Sequence, residues 1–346
     1  MDKNEILQRC RKYNDSNDIL YYLVGKREYD VYAVVSAPCN YLYQNDKDQF
    51  FGSCIYMSEN NLNEDMCSWF PYRKDILGIP MRKVCERSED GKKYSLENSQ
   101  IRELPFLHRI DTEPRFESVL IPGYTCYECA DVIDIIEPRM ALRELYDRND
   151  DFRLLVDELK VLFDVKPEQM GLTGSAALNN PAPGDYDIVF YGNKDELRRI
   201  DSVITALNKQ RCAAKVFGLS LPFRFVIGEH TVDVLSVDNT LALPHLHEAG
   251  LIRKDVPFSC RVTDDSFTFQ AEPMLTVDSN EFSRVLIIET FFHAAIRKGD
   301  IVEGKGDLVL WEHDGKEEYV MLLKEPFRQL KDFSRYFNRN DQRTAD

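Results

Sequence analysis

Residues 171–191 constrain the fold of the chain more than any other stretch of the sequence. It reads GLTGSAALNNPAPGDYDIVFY: a short apolar lead, then Gly174 and Ser175, nine further residues, and Asp185 and Asp187 on either side of a tyrosine at the head of an apolar run. Side chains two positions apart on a strand lie on the same face, so we expect both carboxylates to lie together. Two carboxylates held this close repel each other unless a cation lies between them.

The two halves of this stretch predict a site for a metal ion and for phosphate. Mg²⁺ is usually held by one or two carboxylates together with phosphate oxygens, so Asp185 and Asp187 are predicted ligands of Mg²⁺ or Mn²⁺. Gly174 permits close approach of the backbone to a ligand. Ser175 adds a hydroxyl at the predicted first turn of a helix, where phosphate is favoured. A third acid, Asp233, lies in the later strand pattern TVDVL, where a bare carboxylate between buried valines needs a reason.

Taken in order, these parts resemble the nucleotidyltransferase superfamily that includes DNA polymerase beta. The resemblance covers residues 150–240 and implies that a nucleoside monophosphate moves from a nucleoside triphosphate to an acceptor hydroxyl, with release of pyrophosphate. It implies that Asp185, Asp187 and Asp233 are catalytic and hold the metal, Asp233 either completing a second metal position or acting as the base. Gly174 and Ser175 would then hold the β- and γ-phosphates. In the order of their segments and in their general composition, the flanking regions are similar to those of a family of predicted archaeal nucleotidyltransferases.

The segment before Asp233 predicts a hairpin that adds a cation to this site. An apolar run at 223–227 is separated from the strand of Asp233 by a Gly-Glu-His sequence. A turn at the Glu-His pair would place Val226 opposite Asp233 and Arg224 on the same face as both. Arg224 is therefore a predicted ligand of the triphosphate, and Lys215 is a second one.

The rest of the sequence predicts further domains around this core. The fold class is an α/β (α+β) nucleotidyltransferase core with a mixed strand-rich N-terminal domain and a small C-terminal β barrel or sandwich. The predicted boundaries are 1–135 for the N-terminal domain, 136–250 for the core with its leading helices, 251–335 for the small β domain and 336–346 for a disordered tail.

Three helices of the core follow from local signals. Proline suits the first turn of a helix, so one helix is expected to begin at Pro138. A stripe of apolar residues predicts a second helix over 150–164. A third is capped by Asn193, with Glu196 completing a capping box. The polar face of the third helix is expected to face solvent (Lys194, Arg198, Arg199, Asp201). A basic cluster is also expected to face solvent, and the alternative is that it contacts phosphate or a partner (Tyr72, Arg73, Lys74, Arg82, Lys83).

The composition of the chain limits the kinds of partner that it is expected to bind. A formal net charge of −15 disfavours broad binding to nucleic acid and leaves a small molecule, a protein or one nucleic-acid end as the acceptor. No run approaches the roughly 20 apolar residues of a membrane span, and the N-terminus lacks the apolar centre of a secretory signal. Nine scattered cysteines suit a reducing compartment. We therefore expect a cytoplasmic protein without a membrane partner. The alternative to an enzyme is a non-catalytic nucleotide-sensing or assembly module that binds a nucleotide and a partner.

Overall fold

Strands arranged in several sheets, with helices between them, make up most of the described structure. The structure is a computed structural model and describes residues 3–13, 18–26, 31–37, 49–62, 70, 72–87, 93–95, 124–180, 183–210, 223–240, 248–269, 273–288, 292, 294–313, 316–324 and 326–337. The mixed α+β, strand-rich class expected from the sequence is confirmed. Within these ranges, no helix combines the length and the apolar character that crossing a membrane requires.

The first sheet has seven antiparallel strands, and both of its faces are covered. Its order is β4-β5-β3-β2-β1-β9, with β8 paired to β3, and a separate two-stranded sheet is formed by β6 and β7. The bounds are β1 (Leu20–Lys26), β2 (Val31–Ala37), β3 (Gln49–Ser58), β4 (Arg73–Ile76), β5 (Ile79–Lys83), β6 (Cys85–Arg87), β7 (Lys93–Ser95), β8 (Tyr124–Glu128) and β9 (Val132–Ile136).

Alternation along β1 assigns each face of this sheet to a different neighbour. Tyr22 lies on the face that packs against helix α1 (Lys3–Tyr13), through Ile6 and Cys10. Tyr21 lies on the opposite face, which packs against Leu178 of the central part of the chain. The first sheet is therefore buried on the side that approaches the residues of the predicted site.

The central sheet has four strands in the order β10-β11-β13-β12. Strand β11 runs antiparallel to β10 and parallel to β13, and β12 is antiparallel to β13. Its elements are α2 (Pro138–Arg148), α3 (Asp150–Phe163), β10 (Met170–Thr173), α4 (Gly174–Ala177), β11 (Tyr186–Gly192), α5 (Lys194–Gln210), β12 (Arg224–Ile227) and β13 (His230–Asp238).

The helices of this central part follow the predicted signals. Helix α2 begins at Pro138, and α3 packs its apolar stripe on the sheet, with Phe163 against Phe190. The capping box of α5 is confirmed: the Glu196 N–H donates to Asn193 Oδ1 at 3.1 Å, and the Asn193 N–H donates to Glu196 Oε2 at 2.9 Å. The sequence also predicts a short strand at 213–220, and these residues lie outside the described part of the chain.

The C-terminal strands close into a barrel in the order β14-β15-β16-β18-β17, which settles the expected barrel or sandwich as a barrel. The sequence pattern predicts separate strands at 258–262 and 266–270, whereas β14 is one strand that includes the first run and ends at residue 267, within the second. The elements are β14 (Glu248–Phe267), β15 (Met274–Asp278), β16 (Arg284–Ile287), β17 (Ile301–His313), β18 (Lys316–Leu323), α6 (Pro326–Gln329) and α7 (Ser334–Phe337). The predicted tail at 336–346 starts inside α7, where Tyr336 is buried, and residues from 338 onward lie outside the described part.

The polar face of α5 contacts the barrel. Lys194 Nζ lies 3.1 Å from Asp265 Oδ1, and Arg198 Nη2 lies 2.7 Å from the same oxygen. Asp201 is buried and forms an ion pair with Arg297. The prediction that this face is solvated is confirmed for Arg198 and Arg199, which are exposed, and is wrong for Lys194 and Asp201, whose partners come from a distant part of the sequence.

Candidate active site

The central sheet brings the three predicted acids together. Asp187 on β11 lies directly opposite Asp233 on the parallel strand β13, and Asp185 immediately precedes β11. Arg224 joins two of the acids: its Nη2 donates to Asp185 Oδ2 at 2.8 Å, and its Nε donates to Asp233 Oδ1 at 2.6 Å. Its Nη2 also donates to Asp233 Oδ2. We call Asp185, Asp187 and Asp233 the acidic cluster.

The hairpin of β12 and β13 has a different register from the predicted one. Pairing of Val226 with Asp233 is wrong, since Arg224 itself lies opposite Asp233. The turn begins one residue earlier than expected, at Gly228, whose φ of 56° lies in the left-handed region that glycine adopts without strain. Because the resulting shift is two residues, Arg224 keeps the predicted face.

Asp187 is the least compensated member of the acidic cluster. Within the part of the chain that the structure describes, no Lys, Arg or His side chain forms an ion pair with it. Burial, followed by the charges of Asp185 and Asp233, raises the pKa of Asp187 to about 8. Burial also raises the pKa of Asp233, although Arg224 opposes this rise. Without a further cation, Asp187 is therefore mostly protonated at neutral pH, and a bound cation would favour its charged form.

Gly174 lies against the carboxyl group of Asp187. A β-carbon at residue 174 would overlap this carboxyl group, and the φ of Gly174, 65°, lies in the left-handed region. Glycine is thus required at this position for two independent reasons. The Gly-Ser pair and the Asp-x-Asp pair, which the sequence placed in one site, are in contact through these two residues.

The N–H of Gly174 is bonded within the protein. The hydroxyl oxygen of Tyr21, on β1, accepts from this N–H at 2.9 Å and from the Thr173 hydroxyl at 2.7 Å. Burial raises the pKa of Tyr21 to about 12, which keeps the phenol protonated at neutral pH. Ser175 is buried, and its hydroxyl accepts from Asn180 Nδ2 at 3.4 Å. Helix α4, whose first two residues are Gly174 and Ser175, has only four residues, so the expected helix N-terminus is a single turn.

Sequence reasoning missed Tyr21 and placed Lys74 and Lys83 on a solvated face. Both lysines are partly buried, on strands β4 and β5. Burial and the charge of Lys83 lower the pKa of Lys74, and the carboxylates of Asp185 and Asp187 oppose this shift. The expectation that the basic cluster faces only solvent is therefore wrong for these two residues, and also for Arg82, which is partly buried beside Glu59. No local sequence signal distinguishes them from exposed lysines.

Lys215, the second predicted phosphate ligand, lies outside the described residues. Among the described residues, no three His, Cys, Asp or Glu side chains are arranged to hold a metal ion together. In this arrangement the guanidinium of Arg224 bonds to two of the three carboxylates.

Comparison of the chain with models of protein families, with curated proteins and with solved structures gives no match.

Proposed function

We propose that the protein is a metal-dependent nucleotidyltransferase, which moves a nucleoside monophosphate from a nucleoside triphosphate to an acceptor hydroxyl and releases pyrophosphate. One observation carries this proposal: Asp185, Asp187 and Asp233 meet on neighbouring strands, beside a glycine that cannot be replaced without displacing Asp187. Three carboxylates gathered in a partly buried position raise the energy of the fold unless a cation compensates them.

The donor set of the acidic cluster fits Mg²⁺ or Mn²⁺. These hard ions prefer carboxylate oxygens over nitrogen or sulfur ligands. Asp187 forms no ion pair with a described residue, and it would hold the ion together with Asp185 and Asp233 once Arg224 leaves those two carboxylates and the three acids move together. When bound, the ion supplies positive charge that stabilises the attacking and leaving oxygens of phosphoryl transfer.

The remaining roles belong to side chains that touch the acidic cluster or the Gly-Ser pair. Arg224 exchanges its bonds with Asp185 and Asp233 for bonds to phosphate oxygens, which its planar fork of donors suits. Ser175 donates its hydroxyl to the β- or γ-phosphate. Asp233 either remains a ligand of the metal or accepts the proton of the acceptor hydroxyl. Catalysis of this kind is mostly positioning and charge neutralisation, so a small set of residues is sufficient.

The acceptor is a small molecule, a protein or one end of a nucleic acid. The net charge of −15 argues against a long polynucleotide, because its phosphates would be repelled by most of the surface. A cytoplasmic location is supported by Cys260, a buried cysteine outside any disulfide, which suits a reducing compartment.

A non-catalytic nucleotide-sensing or assembly module is the second candidate function. The contacts of Arg224 favour it, since this residue bonds to two of the acids that would have to receive the metal. In such a module, the nucleotide would displace Arg224 and change the contacts of the hairpin that carries it, without any transfer.

Calorimetric titration with each nucleoside triphosphate, in Mg²⁺ and in EDTA, tests the shared premise of both candidates. We expect one or more triphosphates to bind only in Mg²⁺, and Asp187→Asn to abolish this binding. Asp278→Asn removes an exposed strand carboxylate in the barrel and is the matched control, with unchanged binding. Metal-independent binding, or equal binding in Asp187→Asn, would remove the acidic cluster from the site.

A further inference from the structure

Strands β4 and β5 form a hairpin with one buried face, and two lysines lie on that face. Lys74 is directly opposite Met81 in the register, and opposite residues share a face. Ile76 and Lys83 lie two positions along from them on the same face. Ile76 and Met81 are fully buried, so this is the face that the hairpin turns towards the rest of the molecule.

The turn of this hairpin is attached to the segment that follows the Gly-Ser pair. The Leu77 N–H donates to the carbonyl oxygen of Leu178 at 2.9 Å. The Leu178 side chain is fully buried and belongs to the same apolar cluster as Ile76 and Met81. Leu77 and Gly78 both have a positive φ, as in a two-residue type I′ turn, which fixes the register of the hairpin. A backbone bond and a buried core therefore set the position of the hairpin next to the acidic cluster.

The two faces of the hairpin differ in how their cations are neutralised. On the outer face, Arg73 and Arg82 lie 3.3 and 3.1 Å from the carboxylate of Glu59. Lys74 and Lys83, on the inner face, form no ion pair with any residue that the structure describes. The inner face thus keeps two positive charges without a direct ionic partner among the described residues.

Electrostatic effects show which groups these two lysines face. The carboxylates of Asp185 and Asp187 act to raise the pKa of Lys74, and the charge of Lys83 acts to lower the pKa of Asp187. Together with the Leu77–Leu178 bond and the shared apolar cluster, these effects place the two ammonium groups near the acidic cluster. An anion with several charges, bound between the lysines and a metal held by the acids, would be attracted from both sides.

We propose that Lys74 and Lys83 bind the polyphosphate of the substrate, so that the first sheet supplies part of the phosphate site. This inference rests on the proposed function and names a part of the site that its motif does not contain. Each ammonium offers three donors to phosphate oxygens. The lysines also replace a donor that the Gly-Ser turn lacks, since the N–H of Gly174 donates to Tyr21.

Calorimetric titration with inorganic tripolyphosphate, with and without Mg²⁺, tests this assignment on the full chain. We expect Lys74→Gln and Lys83→Gln each to weaken binding about tenfold or more, as loss of a charge-assisted hydrogen bond predicts. Lys74→Arg keeps the charge and should restore most of the affinity. Arg73→Gln removes a cation from the outer face of the same hairpin and should leave binding unchanged. Equal melting temperatures of the variants establish that their folds are intact.

The outcomes separate this inference from the proposed function. Wild-type affinity in both glutamine variants would overturn the lysine site, and the nucleotidyltransferase proposal would stand if Asp187→Asn still abolished binding of the triphosphate. Lysine-dependent binding that needs neither Mg²⁺ nor Asp187 would support the lysine site and contradict the metal-dependent enzyme. Absence of any binding by the wild-type protein would overturn both.

Discussion

Asp187 and Asp233 lie directly opposite each other on the parallel strands β11 and β13. Their proximity is set by the register of the sheet, because a slip of one residue would carry one carboxylate to the other face. Arg224, on the neighbouring strand β12, lies opposite Asp233, so the register of the sheet also determines the position of this cation. The acidic cluster is therefore built into the regular part of the fold.

Substitution of Gly174 tests the contact between the two halves of the motif. In Gly174→Ala, the new β-carbon would overlap Asp187, and the left-handed φ costs about 1–2 kcal/mol for any residue with a side chain. We expect a lower melting temperature and loss of Mg²⁺-dependent nucleotide binding. Gly184→Ala is the control, since a β-carbon there meets no atom within 4 Å. A Gly174→Ala protein with wild-type stability and binding would contradict the described contact.

Removal of Arg224 tests whether a metal ion can take its place. Arg224 and Asp233 are mostly buried, and loss of a hydrogen-bonded charge at such a position costs about 2 kcal/mol. We expect Arg224→Gln to lower the free energy of unfolding in EDTA, and Mg²⁺ to restore a substantial part of it. Chemical denaturation with and without Mg²⁺ measures both effects.

The control for this experiment is Arg253→Gln. Arg253 forms an exposed ion pair with Glu281, 2.9 Å away, and exposed pairs contribute little to stability. We expect almost no change in this variant under either condition. If Mg²⁺ stabilises Arg224→Gln no more than it stabilises Arg253→Gln, the acidic cluster does not accept the ion.

A partly buried carboxyl group outside the site predicts a pH dependence of stability. Asp18 accepts hydrogen bonds from the Tyr191 hydroxyl at 2.7 and 2.8 Å, and burial raises the pKa of Asp18 from 3.8 to about 6. Between these pH values the folded state binds more protons at Asp18 than the unfolded state does. The contribution of Asp18 to the free energy of unfolding is therefore fully present below pH 3.8 and is lost as the pH rises through about 6.

Asp18→Asn removes this contribution. The difference in unfolding free energy between the wild-type protein and the variant should fall from pH 4 to pH 6 and then level off. Asp278→Asn, which removes an exposed carboxyl group, should leave the slope of the wild-type curve unchanged. Parallel curves for the wild type and Asp18→Asn over this range would show that Asp18 titrates normally.

The sequence predicted the parts of the site that depend on local periodicity. An apolar run with alternating acids determines a strand and its polar face, so the common side of Asp185 and Asp187 followed directly. The sequence signals for the N-terminal cap of α5 and for the start of α2 are also local. The hairpin register was missed because two adjacent turn positions were compatible with the pattern, and the conformation of Gly228 decides between them.

The parts that were not predicted depend on contacts between distant segments. Tyr21 reaches the Gly-Ser turn from a strand more than a hundred residues earlier in the chain. Lys74 and Lys194 have the sequence surroundings of solvated lysines, and only the docking of a hairpin or of the barrel partly buries them. A single sequence contains no record of these pairings.

The most direct test of the nucleotidyltransferase proposal is transfer of label from α-labelled nucleoside triphosphates. Purified protein is incubated with each triphosphate in Mg²⁺ or Mn²⁺, without an added acceptor, beside the Asp185→Asn/Asp187→Asn double variant and Asp278→Asn. We expect label on the protein or on a co-purifying molecule in the wild type and in Asp278→Asn, and none in the double variant. Equal transfer by the double variant would contradict catalysis at the acidic cluster. Metal-dependent binding of a triphosphate without transfer, in the presence of candidate acceptors from all three classes, would contradict the enzyme and favour the sensing module.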